Sequence, residues 1–449
     1  MVCVSYKRIK RSIDDIRVKS KINSEYKTTL NAFTRNRKMT FEDYVWYLTL
    51  QKGRTTSMEL DQYLKNKNDS YEITISKQAF SKQRLNLKSQ IFIDLYKDYL
   101  IDFYGNYPEE VKKYKDYYVF AVDGSVFEIP NTKELRSEYK LEQYNSYQIN
   151  PARAQVSGIY DVENGFMVDA LITDYNKNEK ELAMQNIKEA GKIIDLTKSI
   201  IIFDRGYPGL ELIWFLEKLN VKYIFRLQNR CKYDAEKNSM TTDDEWVKLE
   251  CNKRAYRIKN EEIRKELQEQ KFIDVRITKV TLNTGEVEYL VSNVSKELIS
   301  DSEMKETYFK RWQIEIGYDI LKNKLHIENF TGKTRITIEQ DFYAQIYTFN
   351  VLQDIKNTAN LKIKAKHKSK EKKLKYEYKT NINILAGWLK NVFIAIMFAK
   401  NDKERENLYN IIVEKAEKNL VAIKPNRSYK RKHDAKQENK YTTNLKLNM

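Results

Sequence analysis

Two aspartates in this chain each follow directly on an apolar, strand-like run. Asp123 closes YYVFAV (117–122) and leads into Gly124-Ser125; Asp204 closes SIIIF (Ser199–Phe203) and opens Asp204-Arg205-Gly206-Tyr207. In an open sheet with parallel strands, groups at the carboxyl ends of neighbouring strands gather in one crevice. A third carboxylate comes from YFKRWQIEIGYDILK (308–322). On a helix turning about 100° per residue, Tyr308, Arg311, Glu315 and Lys322, with Tyr318, fall within an arc of roughly 60°. Three carboxylates held together repel unless a cation neutralises them, and oxygen donors without His or Cys favour magnesium or manganese over zinc. Two such ions about 3.5–4 Å apart activate a water or hydroxyl and stabilise the leaving oxygen of a phosphodiester. Taken singly, a strand-end Asp serves as a turn residue and a one-sided polar helix as a solvated surface. Their joint occurrence favours a site.

The elements that must position these groups can be read along the chain. Phe41 to Leu50, Met58 to Leu64 and a segment capped by Ser76 and running to Leu87 predict short helices joined by polar turns. That pattern suits a helix-turn-helix reader of DNA, with Lys77, Gln78, Ser81, Lys82 and Arg84 facing groove or phosphates, or else a plain helical bundle. Strands follow at 117–122, Ala154–Tyr160 and Phe166–Ile172, the last two joined by a hairpin signal. A helix is predicted over Glu179–Leu196, then the buried strand Ser199–Phe203, a helix over Pro208–Leu219 and a strand over Lys222–Leu227. From about 228 to 300, short alternating pieces at Glu245–Leu249, Ala255–Ile258, Ile273–Leu282 and Val287–Ser292 predict an all-β insertion, with a charged segment at Asn260–Gln270 inside it. Helices are expected over Ile338–Ile355 and Ile382–Phe398. Lys362 to Lys375 holds eight Lys and one Glu and reads as a solvated, phosphate-seeking loop. The tail from Lys424 to Met449 is basic and aperiodic, and no internal repeat is found.

Composition narrows the class. The 449 residues carry 81 Lys and Arg against 63 Asp and Glu, a formal charge of +18, for which a polyanion is the natural partner. Part of that excess is the Lys-, Asn-, Ile- and Tyr-rich usage of an AT-rich genome. Cys3, Cys231 and Cys251 are too few and too scattered for a disulfide framework or zinc site, pointing to a reducing compartment. MVCVSYKRIKRS lacks the apolar stretch of a secretory signal, and the apolar run Val392–Ala399 is far short of the ~20 residues a bilayer span needs. A soluble cytosolic protein is expected. The absence of a G-x-x-x-x-G-K-[ST] loop disfavours a nucleotide-driven enzyme.

The spacing Tyr308, two residues, Arg311, three residues, Glu315, six residues, Lys322 resembles the signature of the DDE transposases of insertion-sequence family four. Asp123-Gly124-Ser125 and Asp204-Arg205-Gly206-Tyr207 resemble that family's two Asp motifs. FTRNRKMTF and AFSKQR resemble its leading domain, and Asn426-Arg427-Ser428-Tyr429 its basic ending. The resemblance implies an α/β, ribonuclease-H-like mixed sheet flanked by helices, with an inserted all-β subdomain and an N-terminal helical DNA-binding domain. The expected division is 1–110 for the N-terminal domain, 111–227 with 301–400 for the catalytic domain, 228–300 for the insertion, and 401–449 for a C-terminal helix and basic tail. It further implies that Asp123, Asp204 and Glu315 hold two Mg2+ ions, with Mn2+ as a substitute. Tyr308, Arg311 and Lys322 would grip phosphates near the transposon end, and Trp246 of the insertion would stack a flipped base or else pack in the core. Arg205 would contact a phosphate or pair with an acid, and Lys82 and Arg84 are the DNA contacts of the helix-turn-helix reading above. The partners implied are double-stranded DNA, as terminal inverted repeats and target, and a second copy of the chain in a homodimeric working complex, with no membrane and a bacterial cytoplasmic, nucleoid-associated setting. The activity implied is DNA cleavage and strand transfer. A non-catalytic DNA-binding descendant and a metal-dependent nuclease are the alternatives.

Overall fold

The computed structural model describes residues 3–424 apart from 23, 36, 141–151, 229–231, 283–284 and 369–374. The expected basic ending at Asn426–Tyr429, most of the tail, Cys231 and part of the Lys run therefore lie outside the described residues. The chain forms two units, one of Tyr104–Ser125 and Gln155–Tyr318, the other of Met1–Phe103, Val126–Ala154 and Asp319–Met449.

In chain order the helices are α1 (Val4–Ile22), α2 (Phe41–Leu50), α3 (Thr56–Asn68), α4 (Lys77–Arg84), α5 (Gln90–Asn106), α6 (Lys133–Glu138), α7 (Glu179–Ala190), α8 (Leu210–Lys218), α9 (Asp234–Ser239), α10 (Asn252–Ala255), α11 (Glu261–Gln270), α12 (Asp301–Phe309), α13 (Trp312–Asp319), α14 (Arg335–Lys368), α15 (Ile382–Phe398) and α16 (Asp402–Lys418). The strands are β1 (Tyr118–Glu128), β2 (Arg153–Asp161), β3 (Met167–Thr173), β4 (Ser199–Phe203), β5 (Lys222–Arg226), β6 (Asp244–Glu250), β7 (Phe272–Thr281), β8 (Val287–Ser292), β9 (Glu377–Thr380) and β10 (Leu420–Ile423).

The unit that carries the two aspartates is built on an eight-stranded sheet of order β3-β2-β1-β4-β5-β8-β7-β6. β2 and β3 form the predicted antiparallel hairpin, and β1, β4 and β5 run parallel. Every residue of β4 is buried, as its unbroken apolar run requires. At ~1.5–3 kcal/mol for each large apolar side chain removed from water, Ile200, Ile201, Ile202 and Phe203 alone anchor the middle of the sheet. Helices α7, α8, α12 and α13 complete a ribonuclease-H-like mixed sheet flanked by helices. The insertion strands do not close a sheet of their own: β8 pairs antiparallel with β5, so β6–β8 extend the same sheet. The charged segment inside the insertion is helix α11, capped by the Asn260 side chain. The strand expected at Ala255–Ile258 is instead a helical turn, α10 and the residues after it, with Ala255 and Ile258 buried through helical spacing.

The other unit is helical. Thr40 and Asp43 form a capping box at the start of α2, and Ser76 caps α4 by accepting from the Ala79 amide at 3.2 Å. α2 lies on the long helix α14, where Thr348 Oγ1 donates to the Thr49 carbonyl at 2.7 Å. α14 also corrects the reading of the Lys run, since Lys362 to Lys368 form its last turns and Lys362 and Lys366 pair with Glu417 on α16. A carboxylate distant in sequence makes this Lys-rich stretch helical, and the sequence offered no local sign of it. Arg84 is a second correction. Its guanidinium is buried, pairs with Asp341 at 2.7 Å and donates to Gln340, Thr331 and the Thr337 carbonyl, so it is a core residue with no free face for DNA. Lys77, Gln78, Ser81 and Lys82 remain exposed on the same helix.

Candidate active site

β1 and β4 pair in register with Val122 opposite Phe203, so Asp123 and Asp204 are each the next residue beyond the same rung of the ladder. Parallel pairing thereby places both carboxylates just past the end of the β1–β4 ladder. Asp204 follows the last residue of β4, whereas β1 runs on through Asp123 to Glu128, so the strand does not stop at Asp123 as its sequence context predicts. Asp123 Oδ1 accepts from the Gly124 amide at 2.9 Å, and the Tyr318 hydroxyl donates to the Asp123 carbonyl at the same distance.

Glu315 arrives on α13 because that helix approaches the sheet closely. Gly317 faces Tyr160, where an added Cβ would stand 3.0 Å from the ring, and Gly158 faces Tyr318, where it would stand 3.0 Å from the hydroxyl. Two glycines thus set the depth at which the glutamate helix lies. The segment 308–322 is not the one continuous helix predicted. The chain leaves α12 after Phe309, makes tight turns in which the Arg311 amide donates to the Tyr308 carbonyl and that of Ile314 to the Arg311 carbonyl, and resumes as α13. A π-helical turn follows at Ile320–Lys324.

The break changes what each signature residue does. Tyr308 is only 3% exposed, packed in the cluster of Val119, Ile200, Ile202 and Met304, and its hydroxyl reaches Asp204 Oδ1 at 3.5 Å. Burial pushes its phenol up to about 12, opposed by the Arg311 charge. Arg311 is 4% exposed, with its guanidinium 3.0 Å from Glu315 and 3.6 Å from Asp123. Burial works against the Arg311 charge, but Tyr308, Asp204, Glu315 and Asp123 offset it and raise its pKa. Both side chains are buried and turned to the carboxylates, so neither presents the exposed face that a phosphate grip would use. In the helical unit, Lys322 Nζ donates to the Val126 carbonyl at 2.7 Å and lies 3.7 Å from Glu328. Arg205 is exposed in the turn after Asp204, and Trp246 is 44% exposed on β6, outside the core.

Asp123 carries the strongest electrostatic signal. Its carboxyl is raised to about 6, first by burial, then by the charges of Asp204 and Glu315, against the opposing pull of Arg311 and the Gly124 amide. One residue that sequence reading missed also belongs here. Glu179, at the start of α7, accepts from Gln155 Nε2 at 3.2 Å, and both side chains crowd Gly124, where a Cβ would stand 2.9 Å from Gln155 and 3.1 Å from Glu179. No local motif marks Glu179, whose place follows from the hairpin and crossover that bring α7 back to β1.

The donors fit a hard divalent cation in kind. They are carboxylate oxygens without His or Cys, and Asp123 is a carboxylate whose charge the fold leaves under-compensated. They are not drawn into a ligand cage: among the described residues no group of three or more His, Cys, Asp or Glu side chains is close enough to hold a metal. The cation among them is the Arg311 guanidinium.

An aspartate within β1, another directly after β4 and a glutamate on the later helix α13 thus lie on one ribonuclease-H-like sheet unit. A family model described as the transposase DDE domain matches residues 114–351. The transposase InsG for insertion sequence element IS4 of Escherichia coli (strain K12) is 25% identical over 258 residues, 54% of this chain and 54% of that protein. A putative transposase for insertion sequence element IS4SA of a Synechocystis species is 22% identical over 316 residues, 69% of this chain and 79% of that protein. The chain thus spans about half the length of the first of these relatives. A cryo-EM structure of the piggyBac transposase synaptic complex with hairpin DNA aligns over 96% of this chain and 85% of that one, at 13% identity and a TM-score of 0.43. The chain belongs to the DDE transposase family, in its IS4-like branch. Among the described residues no helix is long and apolar enough to cross a membrane.

Proposed function

We propose that this protein is the transposase of a bacterial insertion sequence, binding the terminal inverted repeats of its element and catalysing metal-dependent strand cleavage and strand transfer. The observation that carries this reading is the register of β1 and β4, which sets Asp123 and Asp204 side by side, together with the Arg311 contacts that tie Glu315 to Asp123. Asp123, Asp204 and Glu315 would hold two Mg2+ ions, or Mn2+ in their place. Bound there, the ions supply activation of a water or 3′ hydroxyl and stabilisation of the leaving oxygen. The chain's own residues do the positioning. Tyr308 orients Asp204, Tyr318 holds the Asp123 backbone, and Arg311 keeps Glu315 near Asp123. Segment 1–110, with exposed Lys82, is proposed to read DNA, and exposed Arg205 and Trp246, with the half-buried Lys322, to contact the end. Joining two ends implies a homodimer at work, in the bacterial cytoplasm at the nucleoid.

The test is strand cleavage with magnesium on a plasmid carrying the gene and its native flanks, for wild type and Glu315→Gln. Cuts at discrete flank positions, lost in the variant while end binding persists, are expected. No cutting, or scattered nicks made equally by both proteins and so due to a contaminating nuclease, would favour the non-catalytic DNA-binding descendant instead.

A further inference from the structure

The sheet unit carries a second basic feature that uses none of the 308–322 segment. A cavity of about 450 Å³ opens between the start of α7, the start of α8 and the helical turn of the insertion at α10. Lys180, Lys232, Lys253, Arg254 and Arg257 line it, against two acids, Glu181 and Glu211. Its cations differ in how far they are already used. Arg254 is fixed by Glu236 at 2.6 Å and by the Lys232 carbonyl at 2.8 Å, which braces the wall. Lys180 donates to the Pro208 carbonyl at 3.0 Å and lies against Gly209, where an added Cβ would stand 3.1 Å from its ammonium. Lys253 meets only a distant Glu250, at 3.6 Å, with its side chain 85% exposed, and Arg257 is exposed beside Tyr256, itself 73% exposed. Exposed cations over a braced basic wall, with an exposed tyrosine next in sequence to one of them, are what a DNA strand meets in a backbone groove.

We propose that this cavity seats the phosphate backbone of the target DNA, an inference that rests on the transposase reading. A joining reaction must bring two DNAs to one set of carboxylates, the cut end and the phosphodiester it attacks, so a second phosphate surface is needed beyond the one that holds the end. The cavity is tied to the site by the chain itself. The turn that follows Asp204 runs directly into Gly209 and the head of α8, so a strand held here is held by the continuation of a catalytic strand.

The experiment uses the full chain and the double variant Lys253→Ala/Arg257→Ala, both exposed positions outside the carboxylate site. Three readouts are taken: cleavage at the native flanks, transfer of a pre-cut end into supercoiled plasmid, and the salt dependence of binding to a random-sequence duplex. Cleavage within about twofold of wild type, transfer down about tenfold, and a log–log salt slope shallower by about 1–2 are expected, since each phosphate contact contributes about 0.9. Cleavage and transfer falling in parallel would make the cavity part of the end site and overturn the proposal, as would neither falling. Should wild type neither cut nor join, the transposase reading fails. The salt slope then judges the cavity by itself, an unchanged slope removing it as a DNA surface.

Discussion

Arg311 stands 3.0 Å from Glu315, one helical turn ahead of it, and 3.6 Å from Asp123 on the neighbouring strand. A single buried guanidinium therefore bridges two carboxylates that would otherwise repel, and Asp204 adds a third negative charge to the same neighbourhood. The compensation is incomplete, as the raised carboxyl of Asp123 shows.

That residual imbalance has a pH signature. Asp123 titrates near 6 in the fold, against 3.8 without its environment, because burial and its acidic neighbours disfavour the charge. Its contribution to stability is fully present below about pH 4 and is lost as pH rises through 6. In metal-free protein at pH 7.5, Asp123→Asn should therefore be more stable than wild type by about 2 kcal/mol, the difference vanishing toward pH 4. Urea denaturation at both pH values in EDTA measures it, and a variant less stable at pH 7.5 would refute the account of Asp123.

Gly317 provides a test of how α13 sits. Glycine to alanine inside a helix ordinarily gains about 1 kcal/mol. Here the new Cβ would stand 3.0 Å from the ring of the buried Tyr160. Overpacking costs about 1–3 kcal/mol, so Gly317→Ala should show a net loss of about 1 kcal/mol and reduced cleavage through displacement of Glu315. Stabilisation in a thermal melt would mean that the approach is looser than the structure shows.

Arg84 and Lys82, two residues apart on α4, should separate cleanly. Removing the Arg84 guanidinium leaves Asp341 buried without its cation, and Arg84→Ala should cost about 3–5 kcal/mol. Lys82→Ala, at an exposed position, should change stability by less than about 0.5 kcal/mol while weakening DNA binding. Equal effects of the two on stability would undo the assignment of Arg84 to the core.

Much of this arrangement was legible in the sequence where local rules suffice. Asp123 and Asp204 stand out because apolar runs end at them, and α2, α4 and α15 follow from spacing and from the Ser76 cap. What escaped was decided by distant partners. YFKRWQ holds no Gly or Pro to announce a break, yet the chain turns there so that Tyr308 enters the core beside Met304 and Arg311 reaches Asp123. The Lys-rich end of α14 is helical beside Glu417, and Glu179 reaches Gly124 through a crossover. Charge patterns mark a surface only when their counter-ions are near in sequence.

The extension of the sheet by the insertion also bears on how the chain is made. β5 emerges from the ribosome with one edge unpaired, and the strand that covers it, β8, follows about sixty residues later. At ~5–20 residues per second, that edge waits roughly 3–12 s for its partner. During this interval the nascent chain presents an open apolar template to any neighbouring strand. A fragment ending before Val287 keeps that template permanently, so premature termination within the insertion yields a species prone to aggregate.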